Sequence, residues 1–130
     1  MDDVPRGEVG EIVYRSPMVM KEYWNKPEAT AEAFRGGWFH SGDLVRQDDD
    51  GYYYVVDRLK DMIISGGENV YSPEVERVLA EHPAVMEVAI IGVPDDTWGE
   101  SVKAVVSLKP DTTATEEGLI VFCQESLARF

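Results

Sequence analysis

The chain is 130 residues long, with 44% hydrophobic residues and a formal net charge of −13, which is about one domain's worth of polypeptide. So acidic a chain is a poor partner for nucleic acid or an anionic membrane surface. No apolar run approaches the roughly 18 residues of a membrane span, and the opening MDDVPRGE has no basic stretch leading into an apolar one, so no secretory signal is read and a cytoplasmic setting is expected.

In chain order, Glu11–Tyr14 alternates in polarity after a glycine and reads as a short strand. Ser16–Tyr23 is irregular. Lys26–Phe34 reads as a short helix with Pro27 in its first turn, broken by Gly36–Gly37. Leu44–Arg46 and Tyr52–Val56 are β-rich runs around QDDDG, where Asp50–Gly51 is a favourable hairpin pair. Residues 1–58 thus predict a β-rich piece with few strands and no layer to cover them. Tyr52, Tyr53, Tyr54, Val55 and Val56 are its expected exposed apolar run, and a homodimer is one way to cover it.

Residues 59–130 predict a more self-sufficient unit. Met62–Ser65 and Asn69–Tyr71 flank Gly66–Gly67 as a small ribbon. Ser72 is placed as an N-cap with Pro73 at the first helical position, although Val75 stands where a capping box would put an acid. Val75, Val78 and Leu79 form one apolar face, and His82–Pro83 stops that helix. Glu87–Val93 is nearly continuous in apolar residues, as in a strand covered on both sides. Val102–Leu108 alternates, with Val102, Ala104, Val106 and Leu108 on one face. Thr115 caps a last helix whose Leu119, Phe122, Cys123 and Leu127 fall at helical spacing. The predicted fold class is α+β: a small sheet with flanking helices, preceded by the β-rich piece.

Several residues could carry chemistry. Asp43, in SGDL, is placed at the end of a loop and the start of a strand, where a carboxylate either satisfies turn amides or accepts bonds from a ribose diol. Arg58 offers a planar fork of donors to ribose or phosphate oxygens, or else a surface ion pair. Lys60 is a solvated charge at a strand end. Ser65–Gly66–Gly67–Glu68 reads as a hairpin turn and not, by spacing, as a phosphate cradle. Cys123 reads as a small buried hydrophobe, Asp48–Asp49–Asp50 as a solvated turn, and His40 and His82 lack metal-ligand spacing.

The ordered stretch GWFHSGDLVRQDDDGYYYVVDRLKDMIISGGENVYSPEVE, followed by GVPDDTWGESVKAVV, resembles the AMP-forming adenylating enzymes, and acyl-CoA synthetases in particular. The resemblance covers about Gly7 to Phe130. It implies a C-terminal portion of a longer enzyme, with residues 1–58 the β-rich end of the large adenylating domain and 59–130 a mobile domain. The implied reaction joins a fatty or aryl carboxylic acid to ATP, through an acyl-adenylate, and passes the acyl group to CoA, with Mg2+ on the phosphates. It implies nucleotide binding by Asp43 and Arg58, a hinge at Lys60, and a CoA-lining loop at Gly66, Gly67 and Glu68. No catalytic residue is placed within the chain, since the reactive lysine is expected beyond Phe130; the chain alone is expected to be inactive. Asp57 stands where such enzymes generally have glycine, which puts a strain on the local backbone in prospect. Trp98 is read as a packing or lip residue. The rival readings are an adenylating enzyme with another acceptor, such as a carrier protein or luciferase-like chemistry, and a non-catalytic interaction module.

Overall fold

The computed structural model describes residues 2–127, so residues 128–130 of the second predicted domain lie outside the described residues. The chain falls into two compact units, divided between Lys60 and Asp61.

The first unit is a three-stranded antiparallel sheet of β1 (Val9–Tyr14), β2 (Phe39–Gln47) and β3 (Tyr53–Arg58), with β2 central. Between β1 and β2 lie α1 (Pro27–Ala33), with Pro27 in its first turn, and a 3-10 turn at Arg35–Gly37. Gly36 and Gly37 both take positive φ there, which ends the helical path as the glycine pair predicts. The β2–β3 connection differs in detail from a two-residue hairpin. Asp48 N–H reaches Tyr52 O at 3.0 Å, and Gly51 N–H reaches Asp48 O at 3.1 Å. Asp49–Gly51 therefore form a three-residue loop with Gly51 at φ +90°.

The register of this sheet is interrupted twice. Glu11 faces Leu44 and Val13 faces His40, so Ser41, Gly42 and Asp43 together oppose Ile12 alone. On the other side Leu44 faces Asp57 and Val45 faces Val55, which leaves Val56 unmatched. This second bulge lets the successive residues Leu44 and Val45 both be buried, where an unbroken strand would send one of them to each face. The first bulge corrects the reading of SGDL: Asp43 lies inside a nine-residue strand, not at the end of a loop. Tyr52, Tyr53, Tyr54 and Val55 are exposed, and Val56 is half-buried.

The second unit is a four-stranded sheet of β4 (Ile63–Ser65), β5 (Glu68–Val70), β6 (Val85–Asp95) and β7 (Gly99–Leu108), in the order β5-β4-β7-β6 with every pairing antiparallel. Helices α2 (Ser72–Ala80) and α3 (Glu116–Ser126) complete it. Ile63, Val70, Leu79 and Ile90 form the core, with Val75, Val88, Leu119 and Cys123 packed against them. The apolar face read on α2 is the one that is buried, and Thr115 caps α3 by accepting Gly118 N–H at 3.1 Å. This is the α+β layer expected from the order of elements.

Two expectations are corrected. The cap position of α2 belongs to Tyr71, while the buried Ser72 turns its hydroxyl back to Asp61 O at 3.4 Å. And β6 is not covered on both sides. Ile90 is buried while its neighbour Ile91 is 46% exposed, and Val105 on the paired strand β7 is exposed on that same outer face. The apolar run is long because both faces are apolar, but in this unit the helices cover only one. Among the described residues, no helix is long and apolar enough to cross a membrane.

Candidate functional site

Asp43 and Arg58 are direct cross-strand partners on β2 and β3. Arg58 Nε lies 3.3 Å from Asp43 Oδ1, and the two side chains are 55% and 39% exposed. A carboxylate and a guanidinium therefore stand side by side on an accessible surface, with spare acceptor and donor positions on each. The backbone beneath them is tied down. Arg58 N–H donates to Asp57 Oδ1 at 2.7 Å, and Leu59 N–H donates to Gly42 O at 2.8 Å. The strain in prospect at Asp57 does not arise. Among the described residues only Asn25 and Asp111 are non-glycine positions with positive φ, so Asp57 occupies a backbone that any residue can adopt.

The bulge that aims Asp43 is held by Ser41 and Gly42 of the SGDL string and by Glu11, which motif reading passed over. Gly42 takes φ +74°, the left-handed region that favours glycine. Ser41 Oγ donates to Ile12 O at 2.7 Å and accepts Asp43 N–H at 3.0 Å. Glu11, read only as part of a strand, sends its carboxylate under the bulge. Its Oε1 accepts Gly42 N–H at 3.0 Å, while its Oε2 lies 2.6 Å from His40 Nδ1 and 3.1 Å from an Arg35 guanidinium nitrogen. His40 Nε2 is in turn 3.2 Å from Arg35 O. Partial burial pushes the Glu11 carboxyl up, but the His40 and Gly42 hydrogen bonds, with the charges of His40 and Arg35, outweigh it and hold the carboxyl below its ordinary range. The available signal was weak: an acid inside an alternating strand whose partners lie 24 to 31 residues away in sequence.

In the second unit Gly66 and Gly67 are the two central residues of the β4–β5 hairpin, closed by the Ser65–Glu68 pair, with φ of +60° and +86°. Positive φ at both central positions is the primed turn that suits two-residue hairpins, as the spacing suggested. The WGE segment braces this turn. Gly66 N–H donates to Trp98 O at 2.9 Å, and Ile64 N–H donates to Glu100 Oε2 at 2.8 Å. The Trp98 indole, 59% exposed, lies against Gly66. Asp95 Oδ1 accepts the Thr97 and Trp98 amides and shapes the turn that presents the ring.

Asp43 and Arg58 are thus brought together in the first unit, while Gly66, Gly67 and Glu68 belong to the second. Lys60 is an exposed turn residue at the division between the units. Cys123 is half-buried against the core, and burial pushes its thiol up, away from reactivity. His82 packs edge-on against Phe122 with ring centroids 5.0 Å apart.

Residues 74–130 match the family model of the AMP-binding enzyme C-terminal domain. The chain belongs to the AMP-binding, adenylate-forming enzymes. It is 54% identical over 129 residues to a feruloyl-CoA synthase of Amycolatopsis sp, covering 99% of this chain and 26% of that protein. It is 52% identical over 116 residues to the medium/long-chain-fatty-acid–CoA ligase FadD8 of Mycobacterium tuberculosis, covering 89% of this chain and 20% of that protein. Among solved structures, ATP-bound MatB from Rhodopseudomonas palustris superposes with a TM-score of 0.88 at 41% identity, covering 98% of this chain and 25% of that one. The chain spans about a quarter or less of the length of these relatives.

Proposed function

We propose that this chain is part of a cytoplasmic, ATP-dependent acid–thiol ligase. A carboxylic acid, fatty or aryl, attacks the α-phosphate of ATP to give an acyl-adenylate and pyrophosphate. The CoA thiol then attacks the acyl carbon and AMP leaves, giving the thioester. The observation that carries the reading is the accessible Asp43–Arg58 pair in a chain with this kinship. Asp43 accepts from the ribose hydroxyls, and Arg58 donates to ribose or phosphate oxygens. Gly66, Gly67 and Glu68 line the path of the CoA arm, and at Gly67, where no atom lies within 4 Å of the place a Cβ would take, the backbone can be closely approached. Residues 1–58 belong to the adenylating domain, and residues from 59 onward turn about Lys60 between the two half-reactions. Magnesium accompanies the ATP phosphates, whose charge it offsets. Among the described residues no group of three His, Cys, Asp or Glu is arranged to hold a metal ion, so no step is assigned to a metal site of this chain.

The test is pyrophosphate exchange by the full-length enzyme with ATP and a panel of fatty and aryl acids. Asp43→Ala and Arg58→Ala each remove charge-assisted hydrogen bonds of about 1.5–3 kcal/mol, so adenylation should fall about tenfold or more in each variant. Unchanged ATP affinity and rate in both would remove the nucleotide assignment. The isolated 130-residue chain should show background activity only.

A further inference from the structure

We propose that Glu11 is the positioning residue of the nucleotide site: its carboxylate, bound to the Gly42 amide, holds the Ser41–Asp43 bulge so that Asp43 is presented beside Arg58. The proposal rests on the reading of Asp43 as a ribose ligand. The bulge has three residues on β2 against one on β1, so the ladder supplies too few partners for its amides. Asp43 N–H is taken by Ser41 Oγ, and Gly42 N–H is taken by Glu11 Oε1. Without Glu11, the Gly42 amide loses its carboxylate acceptor at the residue whose φ of +74° sets the bend. The carboxylate is also the right group to stay put. Its side chain is only 15% exposed, and His40 and Arg35 fix the other oxygen. A side chain locked by two cationic or donor neighbours loses little entropy in holding a third donor. Asp43 itself is over a third exposed and has only Arg58 as an ion-pair partner among the described residues, so its aim depends on the backbone beneath it.

What matters for this role is reach and an acceptor oxygen, not charge. Glu11→Gln retains an oxygen at the length needed to accept Gly42 N–H, and its NH2 can donate to Nδ1 of a neutral His40, although the Arg35 ion pair is lost. Glu11→Asp keeps the charge but is one methylene shorter and cannot span to Gly42. A merely electrostatic or folding role for Glu11, through Arg35 and His40, would rank these two variants in the opposite order.

The experiment measures KM for ATP, KM for the acid, and kcat of adenylation in the full-length enzyme for Glu11→Gln, Glu11→Asp, Glu11→Ala and Asp43→Ala. The expected result is a KM for ATP raised about five- to tenfold by Glu11→Asp and Glu11→Ala, the loss of roughly one hydrogen bond's worth of orientation. KM for the acid should stay within about twofold, and Glu11→Gln should remain near the parent enzyme. If Glu11→Ala does not fold, the ranking of Gln against Asp still decides. A KM for ATP unchanged by Glu11→Asp, while Asp43→Ala raises it, would overturn the positioning role and leave the nucleotide reading standing. Better function in Glu11→Asp than in Glu11→Gln, or equal losses for both substrates, would also overturn it. No effect of Asp43→Ala would remove the nucleotide reading itself, and this proposal with it.

Discussion

The Trp98 indole closes over Gly66: a Cβ built at position 66 would sit 2.8 Å from the ring's Cε3 atom, and Gly66 N–H is bonded to the Trp98 carbonyl. Glycine at this position answers two demands, a φ of +60° and a ring with no room for a methyl group. Gly66→Ala should therefore destabilise the second unit by roughly 1–2 kcal/mol from the backbone alone, with the ring contact adding to it. Trp98→Ala in that background should recover the steric part but not the backbone part. Thermal unfolding of the four chains of this double-mutant cycle would check it, and strictly additive effects would mean that the ring moves aside freely.

Lys60→Pro in the full-length enzyme addresses the proposed hinge. Proline sets φ near −65° at position 60 and restricts Leu59, whose amide is bonded to Gly42 O. Adenylate formation, measured by pyrophosphate exchange, should be largely kept, while transfer from preformed acyl-adenylate to CoA should fall about tenfold or more, since it needs the rotated arrangement. Equal loss in single-turnover measurements of both steps would end the hinge reading.

Acid stability should depend on Glu11. Its folded-state pKa lies below the ordinary 4.5, so its carboxylate favours the folded state above that pH, and the contribution drains away as pH falls through the lower folded value. Glu11→Gln should lower Tm at pH 7 and converge with the parent chain as pH falls through that lowered folded value. A Tm difference that stays constant from neutral to acid would show that ionisation of Glu11 contributes nothing.

The exposed strand β3 carries Tyr53, Tyr54 and Val55 at the edge of a three-stranded sheet, with Tyr52 just before it. An uncapped apolar edge is a pairing surface. The isolated chain should self-associate with rising concentration in sedimentation, and Val55→Lys should shift it toward monomer. A parent chain that stays monomeric at high concentration would contradict this.

Much of the second unit could be read residue by residue. Thr115 caps α3, Gly66–Gly67 makes the β4–β5 turn, and Val75, Val78 and Leu79 mark the inner face of α2. Each of these depends on interactions within a few residues, where φ preferences and helical spacing act directly. The family resemblance also lay in the sequence, because GWFHSGDL and the glycine turn survive as contiguous strings. What only tertiary structure decided were matters of register and cover. Tyr71 takes the cap position of α2, while the Ser72 hydroxyl donates to Asp61 O, 11 residues back. The apolar run of β6 could not reveal that one of its faces is left open. Above all, Glu11, Gly42, His40 and Arg35 converge only once β1 and β2 pair with a three-against-one bulge. No local preference encodes that mismatch: a bulge is a choice of pairing between strands some 30 residues apart, made by what each register buries and which amides it leaves to be satisfied.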